Sequence, residues 1–301
     1  MKKEIFLLLV MSVILWNACD DDDHLTPTEG LESAYILPQG SHDYDTKIVD
    51  WNKRCGFFIL YKFEPKDIYW GQTDWLEAIE TDERWTNGIL GRQADEAYVG
   101  QQLEFVEKHF LSFYSDSTLR RLMPLKFLFC QGLQRVFNAE FVTFTDLHLA
   151  SSIDMLAINY GDEQIDNLDA HEETLFRDSL HVTLLWRAIE SGKIQIPSAF
   201  TELSDYGEYV SKYTMYEEGF IGEDSQVATL ERDLKCYVQA IVTTSYEELM
   251  AEPEGNDFSY KGILHPSKDV NTLVKQKYDI LIDYFKKQYN IDLQKIGDEE
   301  L

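Results

Sequence analysis

Two histidines four residues apart on a helix share a face and can hold one zinc ion. A glutamate between them can activate the metal-bound water, so the pattern to look for is His-Glu-x-x-His. The chain has seven histidines: His24, His42, His109, His148, His171, His181 and His265. Only His171 is followed by a glutamate, and Leu175 stands where the second histidine of that pattern would be. The pattern is therefore absent. His171 and His181 are ten residues apart, which on one regular helix is ~15 Å of rise and ~80° off a common face. They cannot share an ion. Glu172 has a simpler role, because Asp169 three residues before it completes a capping box. No Gly-x-Ser-x-Gly elbow, phosphate-binding Gly-Lys loop or Gly-x-Gly-x-x-Gly turn occurs. A nucleophile pair of Cys236 and His181 is chemically conceivable, but neither residue sits in a recognisable local signature. Trp51, Trp70, Trp75 and Trp85 fall in the first third of the chain. Such rings stack on sugars or bind protein when exposed, and pack strands when buried.

Hydrophobic periodicity supplies the elements that would hold these groups. The apolar runs Cys55–Phe63, Leu125–Cys130, Glu140–Ala150 and Met155–Tyr160 are of strand length and composition. Trp70–Trp85 reads as irregular, with one helical turn. Residues 95–115 read as a helix, with Val99, Leu103, Val106, Phe110 and Phe113 at steps of three or four. Asp169 opens a second helix that carries Phe176, Leu180, Leu184 and Ala188 and closes at Gly192 and Pro197. Further helices are expected over about 227–244 and 268–289. Strands come early and helices late, an α+β order rather than an alternating one.

The chain's 301 residues, 44% of them hydrophobic with 17 Tyr and 17 Phe, suffice for a sizeable core. With 27 basic against 54 acidic side chains the net charge is −27. That field repels nucleic acid and anionic lipid, so nucleic acid is not an expected partner. Residues 1–18 have a basic start and an apolar run from Ile5 to Trp16, shorter than the ~20 residues of a spanning helix. They read as a secretory signal. Leu15-Trp16-Asn17-Ala18-Cys19 resembles a bacterial lipoprotein box, which implies cleavage before Cys19 and its lipidation, palmitate included. Asp20, Asp21, Asp22 and Asp23 then resemble the surface-export signal of Bacteroidetes lipoproteins. Residues 24–42, with Pro27, Pro38 and scattered Gly and Ser, read as a flexible tether before a single domain over 43–301. Cys55, Cys130 and Cys236 remain, an odd number that allows at most one internal disulfide.

Four segments carry a wider resemblance. They are YDTKIVDWNKRCGFFILYKFEPKDIYW, FLSFYSDSTLRRLMPLKFLF and FRDSLHVTLLWRAIESGKIQIPSAFTELSDYGEYV, and lastly the pair GFIGEDSQVATLERDLKCYVQAIVTTSYEEL and VKQKYDILIDYFKKQYNIDLQKI. Together they cover most of residues 44–296. In this order they resemble the zinc-binding metallopeptidase lipoproteins of Bacteroidetes, also called substrate import-associated zinc metallohydrolase lipoproteins. The resemblance implies a zincin-like fold, with a small N-terminal sheet followed by a helical C-terminal half. It also implies a zinc site, with HExxH in the third segment and a further ligand in the fourth. Here that stretch reads HVTLL. His181 stands at the first metal-ligand position, Val182 replaces the general base, Leu185 replaces the second histidine, and Cys236 takes the position of the third ligand. No catalytic residue is carried over, and zinc is implied by the resemblance alone. The expectation is a pseudoenzyme, lipid-anchored at the bacterial outer membrane and facing the exterior. It would act as a binding or accessory subunit beside a TonB-dependent importer and that importer's surface lipoproteins, with a peptide or glycan as ligand. The alternatives are an active zinc metallopeptidase with a rearranged site, and a glycan- or protein-binding surface module.

Overall fold

The computed structural model describes residues 35–68, 87–138, 140–222, 224–255 and 257–300. Cys19, Asp20–Asp23, Trp70, Trp75 and Trp85 lie outside them, as does the irregular stretch expected over Trp70–Trp85. The compact unit runs Leu37–Leu301. Leu37–His42, on the tether side of the boundary expected at residue 43, thus belong to that unit. Gln39 helps to hold them there, its Oε1 accepting from Tyr61 N at 2.9 Å and Lys62 N at 3.2 Å.

Among the described residues the chain is mixed α/β, with a six-stranded sheet, a two-stranded one and ten α-helices. Helix α1 (Asp43–Cys55) opens the unit, buries Ile48, Trp51 and Cys55 at steps of three and four, and ends on Gly56 in the left-handed region, φ 86°. The strand expected from Cys55 is therefore shorter. Left-handed backbone at Gly56 leaves only β1 (Phe58–Leu60) extended. The short helix α2 (Pro65–Ile68) follows, then β2 (Gly88–Gln93), α3 (Val99–His109), a 3-10 turn over Leu111–Phe113 and α4 (Asp116–Leu122).

Strand β3 (Lys126–Asn138) organises the sheet. Lys126–Leu128 lie between β1 and β6 (Met155–Ile158), parallel to both, and Phe129 continues the pairing with β6. From Cys130 onward β3 pairs antiparallel with β2, and from Gln134 also with β4 (Val142–Asp146). The change falls between Phe129 and Cys130, and Gly132, φ 57°, sits in the register irregularity opposite Leu90 and Arg92 that follows, where a Cβ would meet the Arg92 guanidinium at 3.2 Å. Asn159 secures this corner: its Oδ1 accepts from Leu133 N, and its carbonyl accepts from Gln102 Nε2. Strand β5 (Leu149–Ser151) is antiparallel to β6. The single strand expected over Glu140–Ala150 is thus two, broken at Leu147–His148.

The C-terminal half is helical. Helix α5 (Ala170–Glu190) starts with the capping box read from the sequence, Asp169 accepting from Glu172 N at 2.9 Å. Helix α6 (Ser198–Thr201) and the ladder of β7 (Tyr209–Val210) with β8 (Gln226–Val227) lead to α7 (Leu230–Thr243), α8 (Tyr246–Met250), α9 (Leu273–Tyr289) and α10 (Leu293–Gly297). Helix α9 begins five residues later than its apolar stripe suggests, because Thr272 is left-handed (φ 60°) and Val270 stays 56% exposed. Glu299 closes the structure across 190 residues of sequence: its Oε1 meets His109 Nδ1 at 2.9 Å, and its carbonyl accepts from Arg177 Nη1.

Candidate functional site

The capping box that starts α5 fixes its rotation, and the stripe Phe176, Leu180, Leu184 and Ala188 turns one face into the core. His181 is on the buried side and has no exposed surface. Its Nε2 is 2.9 Å from the His109 carbonyl oxygen. A carbonyl only accepts, so Nε2 carries the proton, and Nδ1 accepts from the Tyr114 hydroxyl at 2.7 Å. Phe110 and Phe113 meet the ring edge-on, each with centroids 5.3 Å away. Burial pushes the imidazole pKa down from 6.5 to about 3, against the opposing hydrogen bond to His109. The ring is neutral and both nitrogens are engaged. Val182 faces partly outward, and Leu185 is fully buried among apolar neighbours.

Cys236 sits on α7, which packs along α5, but its setting is different. It is half-buried and lines a surface groove with Trp186, Lys235 and Gln239, whereas the hydrogen-bond and ring partners of His181 come from residues 109–114. The structure thus gives the two residues different surroundings. Among the described residues no three His, Cys, Asp or Glu side chains are grouped to hold a metal. The residues at the positions that the resemblance assigns to zinc do not make a site for that ion. His181 would have to surrender the Tyr114 hydrogen bond to expose a lone pair, Leu185 has none to offer, and Cys236 lies in different surroundings. None of Cys55, Cys130 and Cys236 is in a disulfide, and burial pushes the Cys55 thiol up to about 11. Trp51 packs as a core residue, 9% exposed, with Nε1 donating to Glu107 and the Arg54 guanidinium 4.0 Å above its ring.

No family model and no curated protein matches this sequence. Among solved structures the chain is similar to one described as a "putative zinc-binding metallo-peptidase" from Bacteroides caccae ATCC 43185. Identity is 11%, coverage is 86% of this chain and 91% of that one, and the TM-score is 0.47. No residue role follows from a likeness at that level. No helix of the described residues is long and apolar enough to cross a membrane.

Sequence periodicity missed a second polar centre. Lys277 on α9 has no exposed surface, and its Nζ lies 2.7 Å from Asp233 Oδ2 on α7. Tyr206 donates to the same oxygen at 2.7 Å. Phe220 and Phe200 hold the ammonium from the sides, 4.5 and 4.8 Å from their centroids. Burial lowers the Lys277 pKa and raises that of Asp233, each against the attraction of the other. Asp233 Oδ1 is also buried and has no hydrogen-bond partner among the described residues. Asp233 lines a crevice of about 10 Å³, and the groove beside Trp186 and Cys236 has a volume of about 730 Å³. Asp224, Thr229 and Arg232 line both. The sequence did hold one signal for this centre: Asp233 and Lys277 are charges placed among apolar residues on helices whose other faces already supply polar surface.

Proposed function

We propose that the protein is a lipid-anchored surface protein of the outer membrane, built on the plan of a zinc metallohydrolase but working as a binding or accessory subunit beside a nutrient importer. One observation carries the non-catalytic part. The histidine at the first metal-ligand position is a core residue, with one ring nitrogen donating to the His109 carbonyl and the other accepting from Tyr114. A catalytic zinc site needs lone pairs aimed at one open point, whereas this ring is used to join α5 to the end of α3. The anchor rests on Cys19 and the aspartates after it, and the importer on the four segments of family resemblance.

Elemental analysis of purified, tag-free protein tests the reading. The expected zinc content is far below one atom per chain and is unchanged by His181→Ala. Stoichiometric zinc that disappears in His181→Ala overturns it. The anchor is tested separately. Cys19→Ser should move the protein from the outer-membrane fraction to a soluble one, and wild-type protein should carry radiolabelled palmitate that the variant lacks. An unlabelled wild type would sink the anchor.

A further inference from the structure

We propose that the groove beside α7 and the crevice beneath it form one binding site for a neutral saccharide, with one sugar hydroxyl seated on Asp233 Oδ1. The inference rests on the binding-subunit reading above and deepens it by naming a ligand class.

A buried acceptor without a donor is costly, and such atoms mark places that a water or a ligand completes. Asp233 is only 4% exposed; its Oδ2 serves Lys277 and Tyr206, while Oδ1 is left over. The crevice it lines, about 10 Å³, has room for roughly one water-sized group and no more. A hydroxyl fits, whereas a carboxylate or an amide does not. Charge narrows the choice further. The Lys277 ammonium lies 2.7 Å from the same carboxylate, so the pair is already neutral and does not call for a second cation. An anion would meet the carboxylate directly. What remains is a neutral donor.

The groove agrees. In a chain of net charge −27, the charged groups lining it are two cations, Arg232 and Lys235, and two anions, Asp224 and Glu231. Lys235 is further engaged by Glu190 at 2.5 Å and Glu231 at 3.5 Å. The lining is therefore balanced and rich in both donors and acceptors, which suits a polyol better than a charged ligand. Trp186 and Tyr260 add aromatic surface of the kind that takes the C–H face of a sugar ring. The indole is held in place, Nε1 donating to the Lys235 carbonyl at 3.1 Å. At about 730 Å³ the groove lies within the usual range of ligand sites, ~300–1,000 Å³. Asp224, Thr229 and Arg232 line both spaces, so the two are neighbours, and in the proposed site one hydroxyl of a sugar in the groove is seated past these side chains.

The test is an array of neutral oligosaccharides probed with the full mature chain, followed by calorimetry on the strongest binder. The expected result is saturable binding that weakens at least tenfold in Arg232→Ala and in Asp233→Asn. Arg232 is exposed, so its variant keeps the test alive if the Asp233 variant folds poorly. No binding to any neutral oligosaccharide overturns the proposal. Undiminished binding in both variants also overturns it, and in that case the crevice holds an ordered water only. The zinc measurement is independent. Saccharide binding by a protein that also holds stoichiometric zinc would overturn the non-catalytic reading and leave this one standing.

Discussion

Lys277→Ala destabilises the protein by about 3–5 kcal/mol, because it leaves the Asp233 carboxylate buried without its counter-charge. In a chain of this size that corresponds to a fall in Tm of the order of 10 °C. The environment makes the loss large. Lys277 and Asp233 are almost fully buried, and the aromatic rings around the ammonium give the widowed carboxylate nothing but the Tyr206 hydroxyl. The companion variant separates an ion pair that stabilises from one that is merely costly to break. Lys277→Met combined with Asp233→Leu removes both charges and fills the space, and it should recover most of the loss. Urea denaturation of the three proteins reads the result. A loss below about 1 kcal/mol in Lys277→Ala would show that water reaches the pair and that the burial described here is wrong.

Acid destabilises the protein through His181. Its folded pKa, about 3, lies below the ordinary 6.5, so between those values the unfolded chain takes up a proton that the folded chain refuses. The stability this group contributes is intact above pH 6.5 and is lost as pH falls, by about 1.4 kcal/mol per unit. At pH 4.5 the loss is about 2–3 kcal/mol. His181→Gln offers one acceptor for Tyr114 and one donor for the His109 carbonyl but has no proton to gain. It should be the less stable protein at pH 7.5 and lose less on acidification, so the two stability curves converge toward pH 4.5. Parallel curves between pH 7.5 and 4.5 would show that the ring is not buried neutral.

How much of this the sequence disclosed depends on whether a signal was local. Helix α5 was legible because Asp169 and Glu172 write its first turn and an apolar stripe writes its face. The first half of β3 was legible because Leu125–Cys130 is apolar but for Lys126. The second half was not: Gly132, Gln134, Arg135 and Asn138 break the apolar pattern, and pairing with β2 and β4 keeps the strand extended. Helix α1 was not read from the sequence, because charged residues separate Ile48, Trp51 and Cys55. His181 was singled out by resemblance, but its two hydrogen-bond partners could not be, because they lie 67 and 72 residues away. Lys277 was passed over for a similar reason, because its place on the apolar face of its helix was its one signal. In KQKYD it resembles any solvated lysine, and its partner Asp233 is 44 residues distant.

The bond between His109 and Glu299 spans 190 residues, and it sets an order of events. The carbonyl that accepts from His181 belongs to His109, whose ring packs on Phe105 and gains its carboxylate partner only once residue 299 has come home. A contact of that sequence separation forms late, because the intervening chain must first give up its freedom. The aromatic box around His181 is therefore completed late, by a contact that the last residues of the described fold supply.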